Sequence, residues 1–212
     1  HILPPHKNPI IEQLENIMQF SVNNQMKVNS KKSSIMLFHR SKLRDFHPEV
    51  HLNNEMLEVV DSVKLVGVIL SSDLKWDKHV HYMCQKARKR LWMLRRIKDL
   101  GGSRDDLLLV YCLQIRVLLE GNVSAWNGAL TKKNVKQLEK IQCSAAKLIL
   151  SNQYRSYKSA LKLLNLTSLE NRRQDLCLSF ARKAAKSKKF SAWFKRSPVS
   201  YTHLTLPTTP YV

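Results

Sequence analysis

The sequence predicts an α+β fold that is mostly α: a small antiparallel sheet with one flanking helix, followed by a bundle of four or five helices. Three observations predict it. Short apolar runs of strand length dominate up to Leu70, and from Trp76 onward apolar residues recur every three or four positions over long stretches. The later stretches are also punctuated at helix spacing, by Gly101-Gly102, Thr131 and Thr167-Ser168-Leu169-Glu170.

Pro4 and Pro5 hold the first residues extended, and Asn8-Pro9 reads as an N-cap followed by proline at the first helical position. The helix they open places Ile10, Leu14, Ile17 and Met18 on one face. A strand over 33–39 and two extended runs, 57–60 and 64–70, joined by Asp61-Ser62, make the predicted sheet.

In the next helix Trp76, Val80, Met83, Ala87, Leu91, Leu94 and Ile97 form one stripe, and Gly101-Gly102 ends it. The opposite face carries Lys78, Lys89 and Arg96, with Arg88 and Arg95 alongside; Trp92, among them, could stack on a nucleic-acid base or sugar, but packing within the bundle is the preferred expectation. Ser103 and Asp106 read as a cap and first-turn acid opening a helix over 105–121. Apolar nearly all round, it should be the buried centre of the bundle; its run 107–119, broken by Gln114 and Arg116, falls short of the roughly 20 residues a bilayer needs.

Thr131 caps a helix whose inner face is Val135, Leu138, Ile141, Gln142, Ala145, Leu148 and Ile149, and whose outer face is Lys132, Lys133, Lys136 and Lys140. A short helix over 157–164 leads to a capping box formed by Thr167 and Glu170. The last helix runs to residue 186 with Leu169, Leu176, Cys177, Phe180 and Ala184 inward. The predicted organisation is therefore 1–75 for the sheet region and 76–196 for the helices. Residues 197–212, without a single Asp, Glu, Lys or Arg, are expected to be a non-native or disordered tail.

Charge narrows the function. The 212 residues hold 36 Lys+Arg against 16 Asp+Glu, a formal net charge of +20. Self-repulsion on that scale disfavours the compact state unless a polyanion offsets it, so nucleic acid is the expected partner. A membrane surface is the competing partner for a basic amphipathic chain; the spread of cations over several helices and the lack of a lipidation motif favour nucleic acid. Cys84, Cys112, Cys143 and Cys177 stand far apart without a Cys-x-x-Cys pair, as small hydrophobes of a reducing intracellular compartment, cytoplasm or nucleus. His79, His81 and Cys84 do not share a helix face, which argues against a metal site.

Lys64, Leu65, Val66, Gly67 and Val68, followed by Leu74, Trp76 and His79, match a pattern of strand, loop and Leu-x-Trp-x-x-His. Upstream stand Val28, Asn29, Lys32, Ser33, Ile35, Met36 and Phe38; downstream, Tyr111, Leu118, Glu120 and Trp126, then Leu138, Glu139, Gln142, Ala145, Ala146, Leu148 and Ile149, then Leu164, Leu166, Leu169, Arg172, Arg173, Cys177 and Phe180. In this order, over residues 10–196, they resemble the C-terminal palm and thumb of the reverse transcriptases of non-LTR retrotransposons (jockey-like long interspersed elements). The resemblance implies an RNA-directed DNA polymerase whose partners are RNA–DNA hybrid or duplex nucleic acid and the rest of the palm and fingers. That family's nucleotidyl transfer uses Mg²⁺ on paired carboxylates, from an early palm Asp and an Ala-Asp-Asp hairpin. Neither motif is in this sequence, so no cofactor is expected in this chain and catalysis is expected to be incomplete in it alone.

By the same resemblance Lys32 is the candidate nucleotide-phosphate lysine, with Lys31 adjoining it, and Lys64 and Gly67 belong to a primer-grip-like platform. The binding candidates read from helical spacing are Lys78, Lys89, Arg90, Arg95 and Arg96 on the first bundle helix and Lys132, Lys133 and Lys136 on the third. Arg172 and Arg173 suit either a phosphate or a neighbouring carboxylate. The alternatives are a free-standing basic helical nucleic-acid-binding module, or the non-functional remnant of a mobile element.

Overall fold

The structure, a computed structural model, describes residues 9–38 and 49–190. The expected cap at Asn8, the end of the strand at His39 and the tail 197–212 lie outside the described residues.

Helix α1 (Pro9–Asn23) precedes six short strands: β1 (Ser34–Ile35), β2 (His51–Leu52), β3 (Glu55–Met56), β4 (Glu58–Val59), β5 (Ser62–Leu65) and β6 (Val68–Ser71). The single antiparallel sheet of the expectation is replaced, among the described residues, by three two-stranded pairs: β1 with β4, parallel; β2 with β3, antiparallel; and β5 with β6, antiparallel. A small cluster forms where Leu14, Met18, Val28 and Ile35 pack on Val50, Leu52 and Leu57. Ile10 and Ile17, expected on the same inner face, are exposed.

The run 64–70 is not one strand. It folds back at Val66-Gly67, so that Leu65 faces Val68 across a two-residue turn. Both turn residues have positive φ, 48° and 85°, the backbone of a type I′ hairpin, which favours Asn-Gly and strains a β-branched residue. The β2–β3 turn has the same geometry on Asn53 and Asn54 (φ 52° and 63°), residues that accept it readily. Val66 is held there because its carbonyl accepts a hydrogen bond from Asn122 Nδ2 at 3.0 Å. Since left-handed placement of such a residue costs roughly 1–2 kcal/mol, Val66→Asn is expected to raise the unfolding free energy by about 1 kcal/mol in urea titration. A destabilised variant would contradict the strained-turn account.

The helical part comprises α2 (Asp77–Asp99), α3 (Arg104–Val110), a π-helical segment (Tyr111–Arg116), α4 (Val117–Glu120), α5 (Val123–Trp126), α6 (Lys132–Leu150), α7 (Tyr157–Leu163) and α8 (Leu169–Lys186). The expected stripe of α2 is buried or half-buried throughout. Gly102 N–H bonds Ile97 O and Gly101 N–H bonds Lys98 O, the paired bonds of a Schellman stop, with Gly101 at φ 87°. Ser103 and Asp106 form a reciprocal capping box, and Thr131 accepts from Asn134 N–H. The expected Thr167–Glu170 box does not form: Ser168 is the cap and accepts from Asn171 N–H.

The π segment explains an awkward spacing. Leu107, Tyr111, Ile115 and Leu119 are all buried, four residues apart over three steps. On a regular α-helix, positions four apart drift by about 40° each step; the wider π turn brings them back into line. The corollary is that Leu109, Leu113 and Val117, also four apart, are 57%, 59% and 57% exposed, so this helix is not the all-round buried centre expected. Its inner stripe meets α2 and α6, and nothing among the described residues covers the outer one. By length and composition, Arg104–Ala129 is long and apolar enough to cross a membrane, although Gly121 and Asn122 interrupt the helix within it.

Candidate nucleic-acid interface

His79 fixes the hairpin to the bundle. It is buried, its Nδ1 accepts the Ile69 N–H at 3.3 Å, and its ring stands edge-on to Trp76 and Trp126 at 6.2 and 5.6 Å. Burial pushes its pKa below the ordinary imidazole value, which keeps the ring neutral and Nδ1 free to accept. Lys78 Nζ adds a bond to Ser62 Oγ at 3.3 Å. The β5–β6 hairpin thereby lies along the start of α2, carrying Lys64 with it.

Helices α2 and α6 run parallel, with their N-termini together. Asp77, Lys78 and His81 share a groove of about 300 Å³ with Lys133 and Gln137, while at the far end Lys98 Nζ bonds Ser151 Oγ. Lys132 and Lys133 occupy the first turn of α6 without an acidic residue in that turn. Cations there oppose the positive end of the helix dipole, each by roughly 0.3–1 kcal/mol, and of the residues lining the groove Asp77 alone carries a compensating negative charge. Lys132, Lys133 and Lys136 are all exposed.

The outward face of α2 is basic and aromatic. Lys78, Lys89, Arg95 and Arg96 are exposed, as sequence spacing predicts. Trp92 is not packed in the bundle: it is 62% exposed, with the Arg96 guanidinium 5.8 Å from its ring centre. The period of the helix cannot reveal which flank lacks a neighbour, which is why the packing expectation failed. Lys64 and Lys86 place their ammonium groups 5.1 and 4.7 Å from the centre of the Tyr82 ring, and together lower the pKa of its hydroxyl, Lys64 first. Tyr82 and Lys86 were missed by the sequence reading, although Lys78, Tyr82 and Lys86 step by four along one face. Among the described residues none of Lys64, Lys78, Lys86, Lys89, Arg95, Arg96, Lys132, Lys133 and Lys136 forms an ion pair with a carboxylate.

Other candidates separate from this face. Arg90 is half-buried and donates to the Gln114 carbonyl. Arg172 pairs with Glu120, which also meets Arg116, so of the two options foreseen for it the carboxylate is taken. Arg173 is fully buried, donates from Nε to Asn127 Oδ1 at 3.0 Å, and is inaccessible to any external phosphate. Burial opposes its charged form, while Glu139, Glu170 and Glu120 favour it. Phe180, expected inward on the same helix, is exposed. Lys32 ends a short 3₁₀ turn, Ser30–Lys32, ahead of β1 and is exposed. Gly67 is a hairpin turn residue rather than a glycine inside a strand.

Asp106, adjacent to Asp105 in the chain, is engaged in its helix cap. Asp106 accepts from Ser103 N–H and Oγ at 3.0 and 2.6 Å, bonds that hold its pKa below the usual carboxylate value. Among the described residues there is no group of three or more His, Cys, Asp and Glu side chains able to hold a metal ion. Compared with protein-family models, curated proteins and solved structures, the chain finds no match in any of the three.

Proposed function

We propose that this chain grips nucleic acid through its phosphates as the palm-end and thumb portion of a non-LTR retrotransposon reverse transcriptase, without itself supplying the metal-binding carboxylates of nucleotidyl transfer. The single observation that carries the binding half of this reading is the groove between the starts of α2 and α6, where Lys78, His81 and Lys133 converge beside two helix N-termini, with Asp77 the one carboxylate in the lining. Ordered along residues 10–196, the motifs quoted above carry the polymerase half. A surface built this way holds a duplex by charge and shape, independent of sequence. The inferred partner is RNA–DNA hybrid or duplex DNA, together with the remaining palm and fingers.

Salt titration tests the grip. Log affinity for a hybrid duplex is expected to fall linearly with log salt, and Lys78→Gln with Lys133→Gln should flatten the slope by about two, one per phosphate contact removed. A loss of less than about threefold in affinity between roughly 50 and 200 mM salt would count against phosphate binding, because even a few contacts imply more.

A further inference from the structure

Trp92 does nothing for the core, and the phosphate groove leaves it unused. A large aromatic residue is seldom so exposed, and here it is bracketed by cations along a defined line. Tyr82, Lys89, Trp92 and Arg96 follow one another by seven, three and four residues, which keeps them on one face of α2. The two rings stand ten positions apart, about 15 Å along the axis at 1.5 Å per residue. Each has cations over its ring: Lys64 and Lys86 at Tyr82, Arg96 at Trp92.

Phosphates alone explain the lysines and not the rings. Within a duplex the faces of the bases are covered by their stacked neighbours, so an aromatic side chain on a helix surface has nothing to stack on. An unpaired strand offers both faces of its bases and, beside them, a backbone for the cations. An apolar protein partner fits less well, because Lys89 and Arg96 would be desolvated beside Trp92.

We infer that the outer face of α2 is a second binding surface, specific for single-stranded nucleic acid, on which unpaired bases stack against Trp92 and Tyr82 while Lys64, Lys86, Lys89 and Arg96 hold the flanking phosphates. This deepens the nucleic-acid reading and rests on it. A polymerase portion so equipped would hold an unpaired stretch along α2 and a paired one at the α2–α6 groove.

Fluorescence anisotropy of the full chain with a labelled oligothymidylate strand and with a blunt duplex of the same length, at one fixed salt, separates the two surfaces. Trp92→Ala is expected to weaken single-strand binding roughly 5- to 100-fold, the loss of about one stacked base, and to change duplex binding by less than about twofold. Trp92→Phe should retain most of the single-strand affinity, and thermal midpoints should match wild type because the side chain is exposed. Equal losses on both ligands, or an unaltered single-strand affinity, overturn the stacking surface while leaving the phosphate groove standing. If the wild-type chain binds neither ligand, the phosphate reading fails and the stacking surface falls with it. Lys78→Gln with Lys133→Gln provides the converse arm, weakening duplex binding more than single-strand binding.

Discussion

Trp126→Ala is expected to remove about 3–5 kcal/mol from the unfolding free energy, the range for truncating a large aromatic residue in a packed core. Trp126 is fully buried, its Nε1–H donates to the Gly121 carbonyl at 2.9 Å, and its ring is the nearer of the two that enclose His79. Alanine leaves a cavity, removes the bond to that carbonyl, and frees His79 to tilt away from Ile69 N–H. The consequence should be local as well as global. Hydrogen exchange at the Ile69 amide is expected to accelerate more than at amides in the middle of α6, because the hairpin is held to the bundle by few bonds, from His79 and Lys78 on α2 and from Asn122 ahead of α5. Urea unfolding supplies the global figure, and a loss under about 1 kcal/mol would mean that the site collapses without cost. Against a typical total of about 5–15 kcal/mol, the expected loss removes a large share of the protein's stability. Trp92, on the outside of α2, should show no comparable effect, and the contrast between the two tryptophans separates a residue kept for packing from one kept for contact.

The contrast also marks what the sequence discloses. Helix α2 is legible because seven apolar positions recur at helical spacing and two glycines close it; both signals are local. The caps at Ser103 and Thr131 are legible for the same reason. The hairpin at Val66-Gly67 is not, since the apolar run carries no Asn or Asp to announce a turn, and the bond that stabilises it comes from Asn122, more than fifty positions away. Spacing gave a hint for Arg173: it lies four positions after Leu169 and four before Cys177, on the inward stripe of α8, where the charge argued for the surface and the geometry for the core. Trp92, Leu109 and Leu113 show the limit of periodicity, which identifies faces and says nothing about which of them another element will cover. The groove has the same character. Lys78 and Lys133 were each legible as exposed cations, but their meeting depends on α2 and α6 lying parallel, a property of the packed bundle alone.

Gln142→Leu is expected to cost about 3–5 kcal/mol with almost no change in volume, so the loss would report hydrogen bonds rather than a cavity. Gln142 is buried in α6, accepts from Tyr111 Oη, and donates from Nε2 to Tyr157 Oη and to the Thr167 carbonyl, both at 2.9 Å. Tyr157 in turn donates to Glu139 Oε1, which also accepts the Leu169 N–H at 3.1 Å. One amide therefore joins the π segment, α6, α7 and the start of α8. Leucine would leave the buried Tyr111 hydroxyl without a partner, at about 1–3 kcal/mol, remove the bond to the carbonyl of Thr167, an exposed residue, at roughly 0.5–1.5 kcal/mol, and leave Tyr157 with only its bond to Glu139. Burial pushes both tyrosine pKa values far above the ordinary phenol value, with the Glu139 bond adding to the rise at Tyr157, so both hydroxyls remain protonated donors at any pH used for the measurement. A double-mutant cycle with Tyr111→Phe isolates the network. Once the hydroxyl is gone, Gln142→Leu strands one group fewer, so the double variant should be more stable than the sum of the single losses predicts by about 0.5–3 kcal/mol. Strict additivity would show that the two side chains do not depend on one another, and the Tyr111–Gln142 bond would then contribute nothing to the junction.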